Sequence, residues 1–223
     1  MKFVREQQPE AARAIALALG QALSEGKHVL WLVSGGSNIA IEVAIMATLQ
    51  ETLDGSLDHL TILLTDERYG KPGHVDSNYG QLRAAGFDAD TARFPDVLSL
   101  DLPLEQTVEY YTTIALDAFG KADVVVAQFG VGSDGHIAGI LPHSPAANKD
   151  VAEVVGYKWT DHTRMTLTAP LLTKINSAYV LAYGAGKKEA LERLRKNQET
   201  FASLPSNLLY QIADAYVYND QVE

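Results

Sequence analysis

A run of β-branched residues that ends in a glycine-rich turn constrains the fold of this chain more than any other stretch. Residues 123–128 read Asp-Val-Val-Val-Ala-Gln, and residues 129–136 continue as Phe-Gly-Val-Gly-Ser-Asp-Gly-His. Three consecutive valines favour a buried strand over a helix, and three glycines within six residues end that strand in a tight turn. A strand with no polar face is typical of a parallel sheet that helices cover on both sides.

The same turn places Asp134 and His136 at the carboxyl end of the predicted strand. Open α/β sheets bind their ligands at this edge, so a carboxylate and an imidazole two residues apart form a candidate reaction centre. The residues also allow a plain strand-to-helix connection, in which Asp134 caps the next helix and His136 packs against a neighbour. The spacing alone leaves both interpretations open.

The rest of the chain alternates buried strands with amphipathic helices. Strands are predicted at residues 28–33, 60–65, 123–128, 178–183 and 215–218, and helices at 9–25, 41–53, 104–119 and 189–195. Residues 164–168 alternate polar and apolar side chains, as in a half-exposed strand, and residues 146–162 are expected to be a polar connection. This order predicts a three-layer, Rossmann-like α/β fold, a mainly parallel sheet flanked by helices, in one domain over residues 1–223.

Composition excludes several classes of partner. The chain carries 28 acidic and 18 basic residues, a formal net charge of -10, which argues against general nucleic-acid binding. No apolar run reaches the ~18 residues of a membrane span, and the first residues lack the apolar segment of a signal peptide. The absence of cysteine excludes disulfides and thiolate sites. We therefore expect a cytoplasmic protein with no membrane or nucleic-acid partner.

A second small-residue turn follows the strand at residues 28–33 and reads Ser34-Gly35-Gly36-Ser37-Asn38. A strand, a small-residue turn and a helix together direct backbone N–H groups and the positive end of a helix dipole towards an anion. The turn has neither the Walker pattern nor the dinucleotide pattern. It is interpreted either as a phosphate site or as an ordinary tight turn.

Basic residues near the ends of other strands could bind the same anion. Arg68 follows the strand at 60–65 and could hold a phosphate through its planar fork, or it could pair with the adjacent carboxylates. Lys187 lies at the start of a helix, where it could bind an anion or remain solvated. Asp66 and Glu67 should face opposite ways, because successive strand side chains do.

A metal site is not expected. His136 and His143 are seven residues apart, a spacing that one helix could align, but Gly139 and Pro142 interrupt any helix between them. No acidic or cysteine ligand lies close in sequence. We therefore predict no metal and no cofactor.

Taken together, the motifs resemble the 6-phosphogluconolactonase family, within the larger group that also contains glucosamine-6-phosphate deaminases. They occur in the family's order across nearly the whole chain, and the glycine-rich block is specific to the larger group. The matching residues are Ser34 to Ser37, Asp66-Glu67-Arg68, Ser77-Asn78, Gly130 to His136, Arg164-Met165-Thr166, Asn176 with Ala178, Gly184 to Lys187, and Leu204-Pro205.

The resemblance implies an enzyme, a carboxylic ester hydrolase that converts 6-phospho-D-glucono-1,5-lactone to 6-phosphogluconate in the oxidative pentose phosphate pathway. It implies that His136 is the general base for water, with Asp134 beside it. The residues that it implies for substrate binding are Gly35, Gly36, Ser37, Arg68, Asn78, Arg164 and Lys187. A small phosphorylated sugar lactone is the expected partner, and the expected state is a monomer or a weak homo-oligomer.

Two other functions remain open. As the resemblance has it, the deaminases carry a glutamate a few residues after Asp-Gly-His, and residues 137–144 contain no acid, which favours lactone hydrolysis. A sugar-phosphate sensor would have the same fold, but its DNA-binding segment is not evident. The family's Thr-Pro after the second turn is Asn38-Ile39 here, and residues 137–143 also depart from its pattern, so a different phosphorylated sugar is possible.

Overall fold

The computed structural model describes residues 1–53 and 57–222, which form nine strands and six α-helices. The strands are Lys2–Val4 (β1), Val29–Val33 (β2), Leu60–Leu64 (β3), Asp66–Arg68 (β4), Val124–Phe129 (β5), Val154–Lys158 (β6), Thr163–Leu167 (β7), Ser177–Ala182 (β8) and Asp214–Asn219 (β9). The helices are Gln8–Ser24 (α1), Ile39–Thr52 (α2), Asn78–Ala84 (α3), Leu104–Lys121 (α4), Ala169–Leu172 (α5) and Lys188–Lys196 (α6).

Six strands form the central sheet in the order β1-β9-β8-β5-β2-β3, and every neighbouring pair in it is parallel. Apolar residues of α1, α2 and α3 pack against one face of this sheet, and those of α4 and α6 pack against the other. The prediction of a mainly parallel sheet flanked by helices is confirmed.

Strand β2 shows why a central strand of this sheet is a continuous apolar run. Leu30 and Leu32 belong to the core on one face of the sheet, whereas Trp31 and Val33 belong to the core on the other. Because successive side chains in a strand point to opposite faces, a strand covered on both sides buries apolar residues on each of them.

A second, antiparallel sheet in the order β4-β7-β6 lies beside the first, and the sequence did not predict it. Residues 146–162, expected to be a polar connection, contain β6. Gly156 interrupts the apolar pattern of β6. A glycine is needed there, because a Cβ would come within 2.6 Å of Val108 Cγ2 on α4. Strand β7 is also buried rather than half-exposed, because Met165 and Leu167 on one face belong to the core and Gly139 lies against Thr166 on the other. The short edge strand β1 was missed as well.

The order of the strands determines where a ligand could bind. From β2 the chain moves outwards to β3, and from β5 it moves the opposite way to β8 and β9. The neighbours β2 and β5 therefore form the switch point of the sheet, where the flanking connections diverge and leave a crevice at the carboxyl ends. Across residues 1–53 and 57–222, no helix is long and apolar enough to span a bilayer.

Candidate active site

A cleft of about 180 Å³ opens at this switch point. The turns after β2 and β5 form two of its sides, and residues of β4, β7 and the segment before α6 complete it. Its lining residues are Ser34, Gly35, Gly36, Ser37, Asn38, Asp66, Arg68, Asn78, Gly130, Val131, Gly132, His136, Ala138, Arg164 and Lys187. Eight of the nine residues predicted for the site line this cleft, and the ninth, Asp134, contacts His136 directly.

The turn after β5 holds Asp134 and His136 as a hydrogen-bonded pair. His136 Nδ1 lies 2.7 Å from Asp134 Oδ1, and the same oxygen accepts the His136 backbone N–H at 3.1 Å. Gly132 closes the turn by donating its N–H to the His136 carbonyl at 2.9 Å. A Cβ on Gly132 would come within 2.1 Å of His136 Nδ1, so the imidazole occupies the space that any other residue would need.

Asp134 determines which nitrogen of His136 is free. Partial burial raises the pKa of Asp134, but the hydrogen bond and charge of His136 and the backbone N–H outweigh it and lower the pKa to about 2. The carboxylate is therefore ionised near neutral pH and can only accept a hydrogen bond. A neutral imidazole then donates from Nδ1 and keeps the Nε2 lone pair as a base.

Two contacts from the end of the chain hold this turn in place. Arg193 on α6 donates to the Asp134 carbonyl at 3.2 Å, and a bidentate ion pair with Glu199, at 2.7 Å for each bond, fixes the guanidinium. Ser206, after the Leu204-Pro205 motif, donates its N–H to the Gly135 carbonyl at 3.0 Å. The reason for that motif was not evident from the sequence, since it acts on a turn about seventy residues away.

The turn after β2 fits closely against Asn78. Gly36–Asn38 forms one 3₁₀ turn that continues directly into α2, so the amino end of a 14-residue helix faces the cleft. A Cβ on Gly35 would come within 2.1 Å of Asn78 Oδ1. Gly35 therefore allows the amide of Asn78 to lie against the turn, and the two side by side form one wall of the cleft.

Glu67 positions Asn78 from behind. Its buried carboxylate accepts the backbone N–H groups of Arg68, Asn78 and Tyr79 at 2.5–3.0 Å, and the hydroxyl of Ser77 at 3.0 Å. These bonds satisfy the first N–H groups of α3, which otherwise lack partners. Asp66 and Glu67 point opposite ways, as expected, with Asp66 towards the cleft.

Three cations line the cleft. Arg68 and Arg164 are directly opposite each other on β4 and β7, and Lys187 lies at the start of α6. Among the described residues, Arg164 pairs with Asp161 at 2.6 Å, but no ion pair is recorded for Arg68 or Lys187. Like charges in opposite positions repel, so this arrangement would be stabilised by a bound dianion such as phosphate.

Asp66 is a cleft residue that the sequence-based site did not include. It is 8% exposed, and burial raises its pKa, although Arg164, Thr65, His136 and Arg68 act in the opposite direction. The sequence did contain a signal for Asp66, which directly follows the buried run at residues 60–65. Because the carboxyl ends of parallel strands meet at one edge of the sheet, a residue in this place is expected near the cleft. Ser34 and Asn38 also line the cleft, although only the residues between them were predicted to bind substrate.

No candidate metal centre accompanies these residues. Residues 1–53 and 57–222 contain no group of three His, Cys, Asp or Glu side chains placed to hold a metal ion. His143, whose spacing from His136 was considered, does not line the cleft, and its backbone N–H bonds to the Ala202 carbonyl at 2.8 Å. The cleft thus brings an imidazole and three cationic side chains together.

Comparison with proteins of known fold places the chain among related structures. A monomeric glucosamine-6-phosphate deaminase superposes with a TM-score of 0.78 at 19% identity, covering 98% of this chain and 97% of that one. The 6-phosphogluconolactonase of Thermotoga maritima superposes with a TM-score of 0.74, also at 19% identity, covering 97% and 96%. At this identity the likeness establishes the fold alone.

Sequence comparison is more informative. The 6-phosphogluconolactonase of Rattus norvegicus is 30% identical over 195 residues, which are 83% of this chain and 75% of the rat protein. The family model described as glucosamine-6-phosphate isomerases/6-phosphogluconolactonase matches residues 5–217. A match of that extent covers both turns of the cleft and every strand except β1 and the last two residues of β9. The chain therefore belongs to the glucosamine-6-phosphate isomerase/6-phosphogluconolactonase family.

Proposed function

We propose that the protein hydrolyses 6-phospho-D-glucono-1,5-lactone to 6-phosphogluconate, the lactonase step of the oxidative pentose phosphate pathway. One observation carries the proposal: the imidazole of His136, held by Asp134 through Nδ1, lines the same small cleft as Arg68, Arg164 and Lys187. A base and a phosphate-binding cluster in one cleft suit a substrate with an ester at one end and a phosphate at the other. The names of the sequence relatives support this choice of substrate.

The phosphate is expected to bind between the turn of Gly35, Gly36 and Ser37 and the three cations, with Asn78 beside it. Backbone N–H groups at a helix amino end and guanidinium groups are the donors that phosphate oxygens prefer. This anchoring would direct the lactone carbonyl towards His136 and convert part of the binding energy into orientation.

In the proposed reaction, His136 Nε2 removes a proton from water while the water oxygen attacks C1 of the lactone. The tetrahedral oxyanion then collapses, the bond from C1 to the ring oxygen breaks, and that oxygen takes a proton back from His136. Asp134 stabilises the transient imidazolium. An imidazole can do this near neutral pH, so the mechanism requires no metal.

The test is proton release from freshly prepared 6-phosphogluconolactone, measured against the uncatalysed rate. We expect acceleration by the unaltered protein and by His59→Ala, a matched control at the amino edge of the sheet, and none by His136→Ala. Treatment with a chelator should leave the rate unchanged. Binding of 6-phosphogluconate to His136→Ala would show that its cleft is intact.

The outcomes separate the parts of the proposal. Equal rates for His136→Ala and the unaltered protein would remove His136 from the mechanism. If no protein accelerates hydrolysis, the lactonase assignment is wrong. Loss of activity on chelation would contradict a metal-independent reaction.

A second candidate is a deaminase-like isomerase acting on glucosamine 6-phosphate. It is favoured by the buried carboxyl of Asp66 in the cleft, whose raised pKa suits proton transfer to and from a sugar carbon. It is disfavoured because residues 137–144 supply no acid next to His136. Ammonia release from glucosamine 6-phosphate would establish it. Binding of sugar phosphates without either reaction would instead indicate a sensor.

A further inference from the structure

Glu42, on the first turn of α2, is a fully buried acid that the proposed mechanism does not use. Its Oε1 accepts the backbone N–H of Ser34 at 2.8 Å and the Ser34 hydroxyl at 3.3 Å. Ser34 Oγ in turn accepts the side-chain amide of Asn38 at 3.2 Å. Glu42 thus fixes both ends of the turn that is proposed to hold the phosphate.

The surroundings of Glu42 disfavour a negative charge. Among the described residues, no ion pair is recorded for it, and its second oxygen, Oε2, has no hydrogen-bond partner. Burial raises the pKa of Glu42, the two bonds from Ser34 act to lower it, and the charge of Asp66 also raises it, so that the pKa is about 8. Near neutral pH Glu42 is therefore a neutral carboxylic acid, and its proton can lie on Oε2, the oxygen that accepts no hydrogen bond.

A bound phosphate dianion would add to this effect. The turn of residues 34–38, which the Glu42 carboxyl contacts, carries no titratable side chain, and the buried positions of α1 are all apolar. The charged groups on the other sides are those of the cleft: Asp66, Arg68, Asp134, His136, Arg164 and Lys187. Two negative charges, one above and one below the same turn, would repel each other through a poorly solvated region.

We propose that Glu42 is a positioning residue for the phosphate-binding turn, and that loss of its proton weakens binding of the sugar phosphate. The inference rests on the proposed function for the identity of the ligand. The positioning role and the proton linkage can be tested separately. Glutamine can accept the bonds from Ser34 but has no carboxyl proton to lose, whereas alanine has neither the acceptor nor the proton.

The experiment measures the dissociation constant of 6-phosphogluconate by calorimetry between pH 6.5 and 9.5. We expect the affinity of the unaltered protein to fall about tenfold between pH 7 and pH 9, because only about a tenth of Glu42 keeps its proton at pH 9. Glu42→Gln should lack this loss of affinity. The ratio of its dissociation constant to that of the unaltered protein should therefore decrease as the pH rises. Glu42→Ala should bind weakly at every pH.

Glu51→Gln is the matched control, the same substitution at an exposed position of the same helix. It should follow the unaltered protein throughout. The titratable side chains that line the cleft are the same in all four proteins, so the comparison isolates the substituted position.

Identical pH profiles for Glu42→Gln and the unaltered protein would overturn the proton linkage, and unaltered affinity in Glu42→Ala would overturn the positioning role. If 6-phosphogluconate does not bind at any pH, the proposed function fails, and the same series with inorganic phosphate tests Glu42 separately. Failure to bind either ligand would overturn both.

Discussion

The turns that follow β2 and β5 occupy neighbouring places at one edge of the sheet, yet their carboxyl groups are in opposite states. Asp134 is nearly half exposed and bonded to His136, and its pKa is lowered to about 2. Glu42, below the other turn, is fully buried without an ion pair among the described residues, and its pKa is raised to about 8. Solvent access and the nearest charge, rather than position in the fold, decide the charge of each carboxyl.

The two turns share one device, a glycine whose missing side chain makes room for a functional group. Gly132 makes room for the imidazole of His136, and Gly35 for the amide of Asn78. Neither glycine has a positive φ, so alanine suits both backbones and would act by displacing the neighbouring side chain. Matched substitutions can therefore test whether one turn serves catalysis and the other serves binding.

The largest effect is expected from Gly132→Ala. The new methyl group would displace His136 and Asp134, and kcat should fall by about 10³-fold, within the range of a lost general base, with little change in KM. Steady-state kinetics with the lactone measure this. Gly120→Ala, where no atom lies within 4 Å of the added carbon, is the control and should keep full activity. A change confined to KM would contradict the assignment of this turn to catalysis.

Glu42→Gln should change the dependence of stability on pH. Because the folded pKa is raised from 4.5 to about 8, the contribution of Glu42 is fully present below pH 4.5 and is lost as the pH rises to about 8. Relative to the variant, the unaltered protein should lose about 3 kcal/mol of unfolding free energy between pH 5 and pH 8. Urea unfolding across this range measures it, and parallel curves would mean that Glu42 is ionised in the folded protein.

Gly35→Ala is the counterpart of the first substitution on the other turn. Its methyl group would push Asn78 away from the turn and disturb the phosphate donors, so KM should rise about tenfold while kcat is largely kept. The same kinetic assay and the same Gly120→Ala control apply. If kcat fell instead, the division of labour between the turns would be wrong.

The smallest effect is expected from Asp134→Asn on acid stability. A lowered pKa makes the contribution of Asp134 present above pH 3.8 and lost as the pH falls towards 2, opposite in sign to that of Glu42. Since the side chain is nearly half exposed, solvent reduces this contribution to less than about 1 kcal/mol. Acid unfolding monitored by circular dichroism compares the variant with the unaltered protein. A loss of stability that persisted unchanged down to pH 2 would point to packing instead.

The central sheet could be predicted because its information is local. The valines at 124–126 and the apolar run at 29–33 allow burial on both faces, and the helices between them repeat at helical spacing. The glycine-rich turns were recognisable for the same reason, since glycine and short polar residues mark a turn wherever they occur. The position of the cleft followed from parallel strands, whose carboxyl ends share one edge.

The second sheet lay beyond such reasoning. Strand β6 is short and contains Gly156, and it is stable because β7 pairs with it and α4 covers it. Alternation along β7 indicated one wet face, but in the fold the segment after His136 covers it, and Gly139 donates its N–H to Thr166 Oγ1 at 3.1 Å. A pattern of polar and apolar residues shows which side chains differ, not what covers them.

The sequence by itself determined the fold class, the two turns and the residue types available for chemistry, because these depend on backbone preferences and periodicity over a few residues. Only the tertiary structure decided that Asp66 lies in the cleft, that Arg68 and Arg164 are opposite each other, and that Glu42 lies buried beneath the phosphate turn. Those facts depend on contacts between residues distant in the chain. Charge states depend on them in turn, because desolvation and neighbouring charges exist only once the chain has folded.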